Sequence, residues 1–181
     1  AIYIIGFSLA YLTLDAGLGA LILFGVVQIA MFAHGALFGV TPTPRKLLGA
    51  GVAFAGLVLV LWPSQGVAVD PLGAVLMIAA GLGWAAYTII GRGASDPLAG
   101  SAGNFVICTP LVAILLLVQP TFYTPTGIAL GVVCGAVTSG LGYALWDAVL
   151  PRLAQATAAV VQLSVPVIAI LAGALLLAEP L

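Results

Sequence analysis

The groups able to do chemistry in this sequence are few, and most of them stand inside long apolar runs. Gln28 lies near the middle of one run, in a stripe with Gly25, Phe32, Gly35 and Gly39, spaced three and four apart as on one helix face. Gln162, Ser164 and Pro166 occupy the middle of the last run. Pro166 lacks an amide hydrogen, so it releases the carbonyl four residues earlier, that of Gln162. Such a freed acceptor is tolerated in hydrocarbon beside a cavity or another polar group. Gln28 and Gln162 are therefore expected to line a central binding site; the alternative is that carboxamides bond helix to helix without a ligand. Trp84 and Tyr87 lie three apart on one helical face, as do Tyr143 and Trp146 on another, and such rings clamp a planar or apolar solute. The second pair sits close to a membrane interface, where rings also gather for purely physical reasons. The binding set expected is Gln28, Trp84, Tyr87, Tyr143 and Gln162, with Asn104 either joining it or forming a hydrogen-bonded seam.

Titratable groups within the runs are His34 and Asp147, the two candidates for a proton-coupling role. Asp147 stands five residues before Arg152, which also reads as a surface ion pair of little energetic weight. Glu179 near the end reads as a cap on neighbouring backbone or a guard at an exit. An intramembrane enzyme would need paired acids, a Ser/His pair or a metal cluster in the runs, and these residues supply none. The expectation is no enzyme, no metal and no cofactor. A retinal protein needs a lysine inside a helix, whereas Lys46 sits in a loop beside Pro44 and Arg45. Cys108 and Cys134 fall in apolar runs, where they act as small hydrophobes.

The elements that carry these groups follow from the solvent. Of 181 residues, 64% are hydrophobic and 5% charged, with a net charge of -1; ordinary soluble domains hold about 45–50% and 25%. A soluble globule of this composition would expose large apolar patches, and nothing basic is gathered to hold nucleic acid. The chain belongs in a lipid bilayer. With about 20 apolar residues per span, breaks at Pro, Gly and charge place about seven spans near 1–14, 16–39, 46–62, 71–91, 99–119, 126–149 and 153–178. In hydrocarbon every backbone donor must be paired within its element, so the spans are helices and the fold class is an all-α polytopic membrane bundle.

Arg45 and Lys46, Arg92, and Arg152 fall in the second, fourth and sixth loops, and the odd-numbered loops carry no Lys or Arg. Basic loops stay cytoplasmic, and random assignment would place four cations on one side about one time in eight. The loops bearing Arg45, Lys46, Arg92 and Arg152 are thus expected on the cytoplasmic face of the plasma or inner membrane, with Ala1 near that face and Leu181 outside. Ala1–Tyr11 lacks the basic start of a signal peptide. Gly35-x-x-x-Gly39, Gly49-x-x-x-Ala53 with Gly56, and Gly131-x-x-x-Gly135 are expected as packing seams.

An offset of 139 residues superposes the first two spans on the last two, with Phe7 opposite Trp146, Leu14 opposite Leu153, Ala20 opposite Ala159 and Ile22 opposite Val161. That offset covers five spans, and an odd number returns a repeat upside down in the membrane. On this reading two spans precede Ala1 and one follows Leu181, about ten in all.

The stretch from Leu141 through Tyr143, Trp146, Pro151-Arg152 and Gln162 to Pro166, followed by the Glu179 ending, resembles the end of an EamA domain of the drug/metabolite transporter superfamily. Members of that family carry a small-Tyr-x-x-Trp helix, a basic turn, then a helix with a central Pro and an acidic ending thirteen residues beyond. Gly83-Trp84-Ala-Ala-Tyr87 to Gly91-Arg92 is similar to the opening helix of a second EamA repeat, and Arg45 to Gly56 to the closing helix of a first. Val27 and Val40 stand where the first repeat would match Pro166 and Glu179, and Ala178 replaces the family's Gly. The resemblance implies residues 1–62 as the later part of one repeat and 71–181 as the second without its last helix. It also implies a secondary transporter that exports a small metabolite by alternating access, with a small-molecule substrate, the bilayer and a homodimer as partners. A non-transporting scaffold or half-transporter subunit is the alternative.

Overall fold

A computed structural model describes residues 1–38, 42–61, 69–118, 124–168 and 175. All regular structure among them is helical, in the order α1 Ile2–Ala10, α2 Ala16–Leu37, α3 Pro44–Leu61, α4 Pro71–Gly91, α5 Pro97–Val118 and α6 Pro125–Val133. A π-helical segment, Cys134–Leu141, joins α6 to α7 Gly142–Val149, and a 3₁₀ turn, Leu150–Arg152, leads to α8 Gln155–Gln162. The chain is an all-α membrane protein. Gly17–Leu37, Pro71–Gly91 and Pro125–Arg152 are each long and apolar enough to cross a bilayer.

Four helix starts follow one local rule. Thr43-Pro44, Asp70-Pro71, Asp96-Pro97 and Thr124-Pro125 each put proline at the first helical position, where its fixed φ suits the helix and its missing N–H costs nothing. Asp70 Oδ2 accepts from the Gly73 N–H at 2.7 Å, Asp96 Oδ1 from the Ala99 N–H at 2.9 Å, and Thr124 Oγ1 from the Gly127 N–H at 3.0 Å. Such caps contribute about 1 kcal/mol each. The rule moves the expected starts at 46 and 99 back to Pro44 and Pro97.

Two spans expected to be continuous are interrupted. The widened turns of Cys134–Leu141 fall in a segment of mostly small residues, and the Thr138 hydroxyl donates to the Cys134 carbonyl at 2.7 Å. In the last span α8 stops at Gln162, Leu163 forms a turn, and residues 164–168 are helical again. Pro166 causes this, since it offers no N–H to the Gln162 carbonyl. Pro110 lies inside α5 without ending it.

The chain forms two compact units: residues 2–87 with 154–181, and residues 88–153 with Ala1. The first holds α1, α2, α3, most of α4, and α8. Its core gathers Ala10, Leu14, Leu23, Met77 and Ala80, with Phe7 and Tyr11 packed against them. Glycines let these helices approach closely. A Cβ on Gly6 would lie 2.8 Å from the Leu76 carbonyl oxygen, one on Gly83 3.0 Å from the Tyr3 nitrogen, and one on Gly81 2.9 Å from Val26 side-chain atoms. Gly25 receives the Phe54 ring of α3, 3.1 Å from where its Cβ would be.

The second unit holds the end of α4 and α5 to α7. Gly91 of α4 faces Leu150 and the Asp147 carboxylate, and the Arg92 Nε–H donates to the Leu153 carbonyl at 3.0 Å. Asp147 is 3% exposed, so it is a buried group rather than a surface one. The small-residue motifs read as seams behave differently: added Cβ atoms at Gly49, Gly56, Gly131 and Gly135 would meet nothing within 4 Å among the described residues. Spacing makes a smooth helix face, and only an arriving helix turns it into a seam. Gly39, the Gln119-Pro120 break and the Glu179 ending lie outside the described residues.

Candidate functional site

Four of the five anticipated binding residues, Gln28, Trp84, Tyr87 and Gln162, belong to the first unit; Tyr143 belongs to the second. The close approach of α1 and α4 at Gly6 and Gly83 sets Tyr3 against Trp84, with ring centroids 4.8 Å apart. Trp84 and Tyr87 are one turn apart on α4, so their rings stack at 5.4 Å and 26°. Along α1, Tyr3 touches Phe7 at 5.5 Å, and Phe7 meets Tyr11 edge-on at 4.7 Å. Gly19 of α2 makes room for the Tyr11 ring, which would lie 2.4 Å from an added Cβ. The result is a ladder of five rings running along α1 onto α4.

The two carboxamides have different environments. Gln162 is 5% exposed, and its Oε1 accepts a hydrogen bond from the Trp84 indole N–H. Its Nε2 donates to the Ala158 carbonyl one turn earlier at 3.1 Å and lies 3.7 Å from the Met31 sulfur. That amide is engaged at both ends and holds the indole in place. Gln28 lies one turn before Met31 on α2 and is 7% exposed, yet neither its Nε2 nor its Oε1 has a hydrogen-bond partner among the described residues. Burying a carboxamide unpaired costs about 1–3 kcal/mol. The two amides do not bond to each other across the helices.

His34 is joined to the start of α8. The Gln155 Nε2 donates to the Met31 carbonyl, which turns Oε1 toward His34 Nδ1 at 3.3 Å. The same Nδ1 lies 3.1 Å from Gln155 Nε2, so the imidazole tautomer decides which end of the amide it engages. The His34 ring also packs on Phe38, with centroids 4.5 Å apart. Ser164 is exposed and donates to the Val161 carbonyl at 2.7 Å, so its hydroxyl is satisfied within its own turn. Within the second unit, Tyr143 meets Phe105 edge-on at 5.3 Å and 77°, Asn104 is exposed, and the Trp146 indole N–H is buried without a hydrogen-bond partner among the described residues. No group of three or more His, Cys, Asp or Glu residues suited to a metal is present among the described residues.

Sequence reasoning missed Tyr3, Met31 and Gln155. The spacing of Tyr3, Phe7 and Tyr11 at four-residue intervals was a usable signal for a ring ladder. Met31 and Gln155 carried none, because their roles depend on which helix faces them.

An all-helical membrane protein with rings and carboxamides packed among its helices is the class these observations define. Residues 71–181 match the EamA-like transporter family, and the chain belongs to that family, within the drug/metabolite transporter superfamily. It is similar to an uncharacterised protein of Pseudomonas aeruginosa, 48% identical over 183 residues, covering 99% of this chain and 63% of that protein. The chain thus spans under two thirds of that relative's length. No solved structure matches it.

Proposed function

We propose that this chain belongs to a secondary transporter of the inner membrane that exports a small metabolite by alternating access. The loops bearing Arg45, Lys46, Arg92 and Arg152 face the cytoplasm in this reading, following the distribution of positive charge. Gln28, Trp84, Tyr87, Tyr143 and Gln162 form the binding set, with Gln162 acting through Trp84. The observation that carries the reading is the buried Gln28 carboxamide with no hydrogen-bond partner among the described residues, set one turn from the Met31 end of the Trp84–Gln162 bond. A polar group in hydrocarbon is costly and marks a solute path.

The inverted 5+5 arrangement draws support from helix boundaries. The 139-residue offset carries the end of α1 at Ala10 onto the end of α7 at Val149, and the start of α2 at Ala16 onto the start of α8 at Gln155. In this reading residues 1–62 are the later part of the first repeat and 71–181 belong to the second.

Single cysteines at positions 28 and 87, placed in the complete protein after replacing Cys108 and Cys134, test the mechanism. Membrane-impermeant thiol reagents applied from each side should label them from one face at a time, with the face switching as conditions drive the cycle. Labelling from neither side under any condition would replace transport with the scaffold reading.

A further inference from the structure

The chemistry around Gln28 specifies more than a polar solute. We propose that the site selects an uncharged planar molecule carrying a carboxamide or ring-lactam edge, recognised by Gln28 and stacked against the Tyr3–Trp84–Tyr87 rings. This rests on the transporter reading for the location of the site.

Three observations converge. First, a carboxamide offers a donor and an acceptor side by side in one plane, and in Gln28 both are buried and unpaired among the described residues. The partner that satisfies both at once presents an acceptor beside a donor in the same plane, as a carboxamide or lactam does. A hydroxyl or a carboxylate answers only part of this. Second, the neighbouring Gln162 is committed at both ends, so recognition falls to Gln28 while Gln162 positions Trp84. Trp84 and Tyr87 are half-buried and stacked, and aromatic faces favour another flat ring in offset or edge contact.

Third, charge is absent where the solute would sit. The ionisable side chains described in this unit are Tyr3, Tyr11, Asp15, His34, Arg45, Lys46, Asp70 and Tyr87. Asp15, Arg45, Lys46 and Asp70 lie at helix ends or turns, His34 is joined to Gln155, and the tyrosines belong to the ring ladder. A carboxylate, phosphate or zwitterion brought against Gln28 would meet no compensating charge, and burying an unpaired ion is far costlier than burying an amide.

Three ring compounds of nearly the same size separate these terms: nicotinamide, its anionic counterpart nicotinate, and 3-methylpyridine, which lacks the amide. Binding is read by intrinsic tryptophan fluorescence of the complete protein in liposomes, with uracil as a lactam probe. Saturable binding of nicotinamide or uracil, about tenfold or more tighter than nicotinate and 3-methylpyridine, is the expected result, since paired amide hydrogen bonds account for a factor of that order. Gln28→Met, of similar length and unbranched, should reduce nicotinamide to the level of 3-methylpyridine while the protein still unfolds in a cooperative thermal transition at no lower temperature. If that variant does not fold, the ranking of probes on the unmodified protein decides. Equal binding of all three pyridines, tighter binding of nicotinate, no binding of nicotinamide or uracil, or a discrimination that survives in a folded Gln28→Met protein would each overturn the proposal. Binding needs no transport, so discrimination in a protein whose cysteines never alternate would sink the transporter reading alone. Alternating cysteines without discrimination would sink this one.

Discussion

The α1–α4–α8 unit and the α5–α7 unit draw on the same residue types and use them differently. In the first, Gly6, Gly19, Gly81 and Gly83 each stand where an added Cβ would come within about 3 Å of another helix's atoms, while Gly49, Gly51 and Gly56 of α3 meet nothing within 4 Å among the described residues. In the second, Gly100, Gly103, Gly131, Gly135 and Gly142 meet nothing within 4 Å, and neither α6 nor the π segment buries a residue. Polar groups divide less sharply. The first unit ties His34, Gln155, Gln162 and Trp84 into bonds between helices, turns the Ser164 hydroxyl back onto its own turn and leaves Gln28 unpaired among the described residues; in the second, Thr109 and Thr138 turn their hydroxyls back onto their own helices at 2.8 and 2.7 Å, and the Thr88 hydroxyl and Trp146 indole N–H are buried without a partner among the described residues. In lipid a glycine stabilises only where a second backbone comes close enough to gain dispersion contacts.

The largest break in this contrast is expected from Gly6→Val. Its Cβ would press on the Leu76 carbonyl at 2.8 Å, a backbone atom with little freedom to move, and should cost about 2–3 kcal/mol. Gly131→Ala and Gly135→Ala should cost less than Gly6→Val, since an added Cβ at either position meets nothing within 4 Å among the described residues. Thermal unfolding of the complete protein in detergent measures all three; equal losses would mean that the second unit's glycines are also packed against helices.

Next comes the Trp84–Gln162 bond. Trp84→Phe strands the Gln162 oxygen and Gln162→Leu strands the indole N–H, each at a cost of about 1–3 kcal/mol. Removing both should cost less than the sum of the two, because a single interaction is lost twice over in the arithmetic. Strict additivity in a double-mutant cycle would show that the bond contributes nothing. Gln162→Leu should also abolish transport without lowering membrane abundance, and unchanged flux would remove Gln162 from the binding set.

A smaller effect of opposite sign is expected from Gln28→Met, which should raise stability by about 1 kcal/mol, since it removes a buried amide that has no partner among the described residues. A loss of that size would mean that Gln28 is bonded within the folded protein.

The smallest effect belongs to the exposed clasp between the α1–α2 turn and α4. The Thr13 hydroxyl donates to Asp70 Oδ2 at 2.8 Å, and with the Gly73 N–H it holds the Asp70 carboxyl below the usual aspartate range. Because the native value is the lower one, the unfolded chain takes up the proton first. The clasp therefore contributes fully above the ordinary carboxylate range and fades as acid reaches the depressed native value. Thr13→Val should shrink that acid-side loss of stability, seen as a flatter melting temperature against pH between about 5 and 3. An unchanged slope would show that Thr13 does not hold Asp70.

Much of this protein is written locally. A composition of 64% hydrophobic and 5% charged residues selects the bilayer as solvent, and that solvent leaves the helix as the element. The pairs Thr43-Pro44, Asp70-Pro71, Asp96-Pro97 and Thr124-Pro125 mark where four helices begin, and Pro166 marks a break in the last span, because both depend on hydrogen bonds within one turn. The pairing of Trp84 with Tyr87 was legible for the same reason. Which glycines seal a seam, that Gln162 spends its amide on Trp84 while Gln28 keeps both hydrogen-bonding ends unpaired, and that Asp147 is buried were decided only in the tertiary structure. Each depends on what another helix presents across the gap, and residues dozens of positions apart carry no local signal of their meeting.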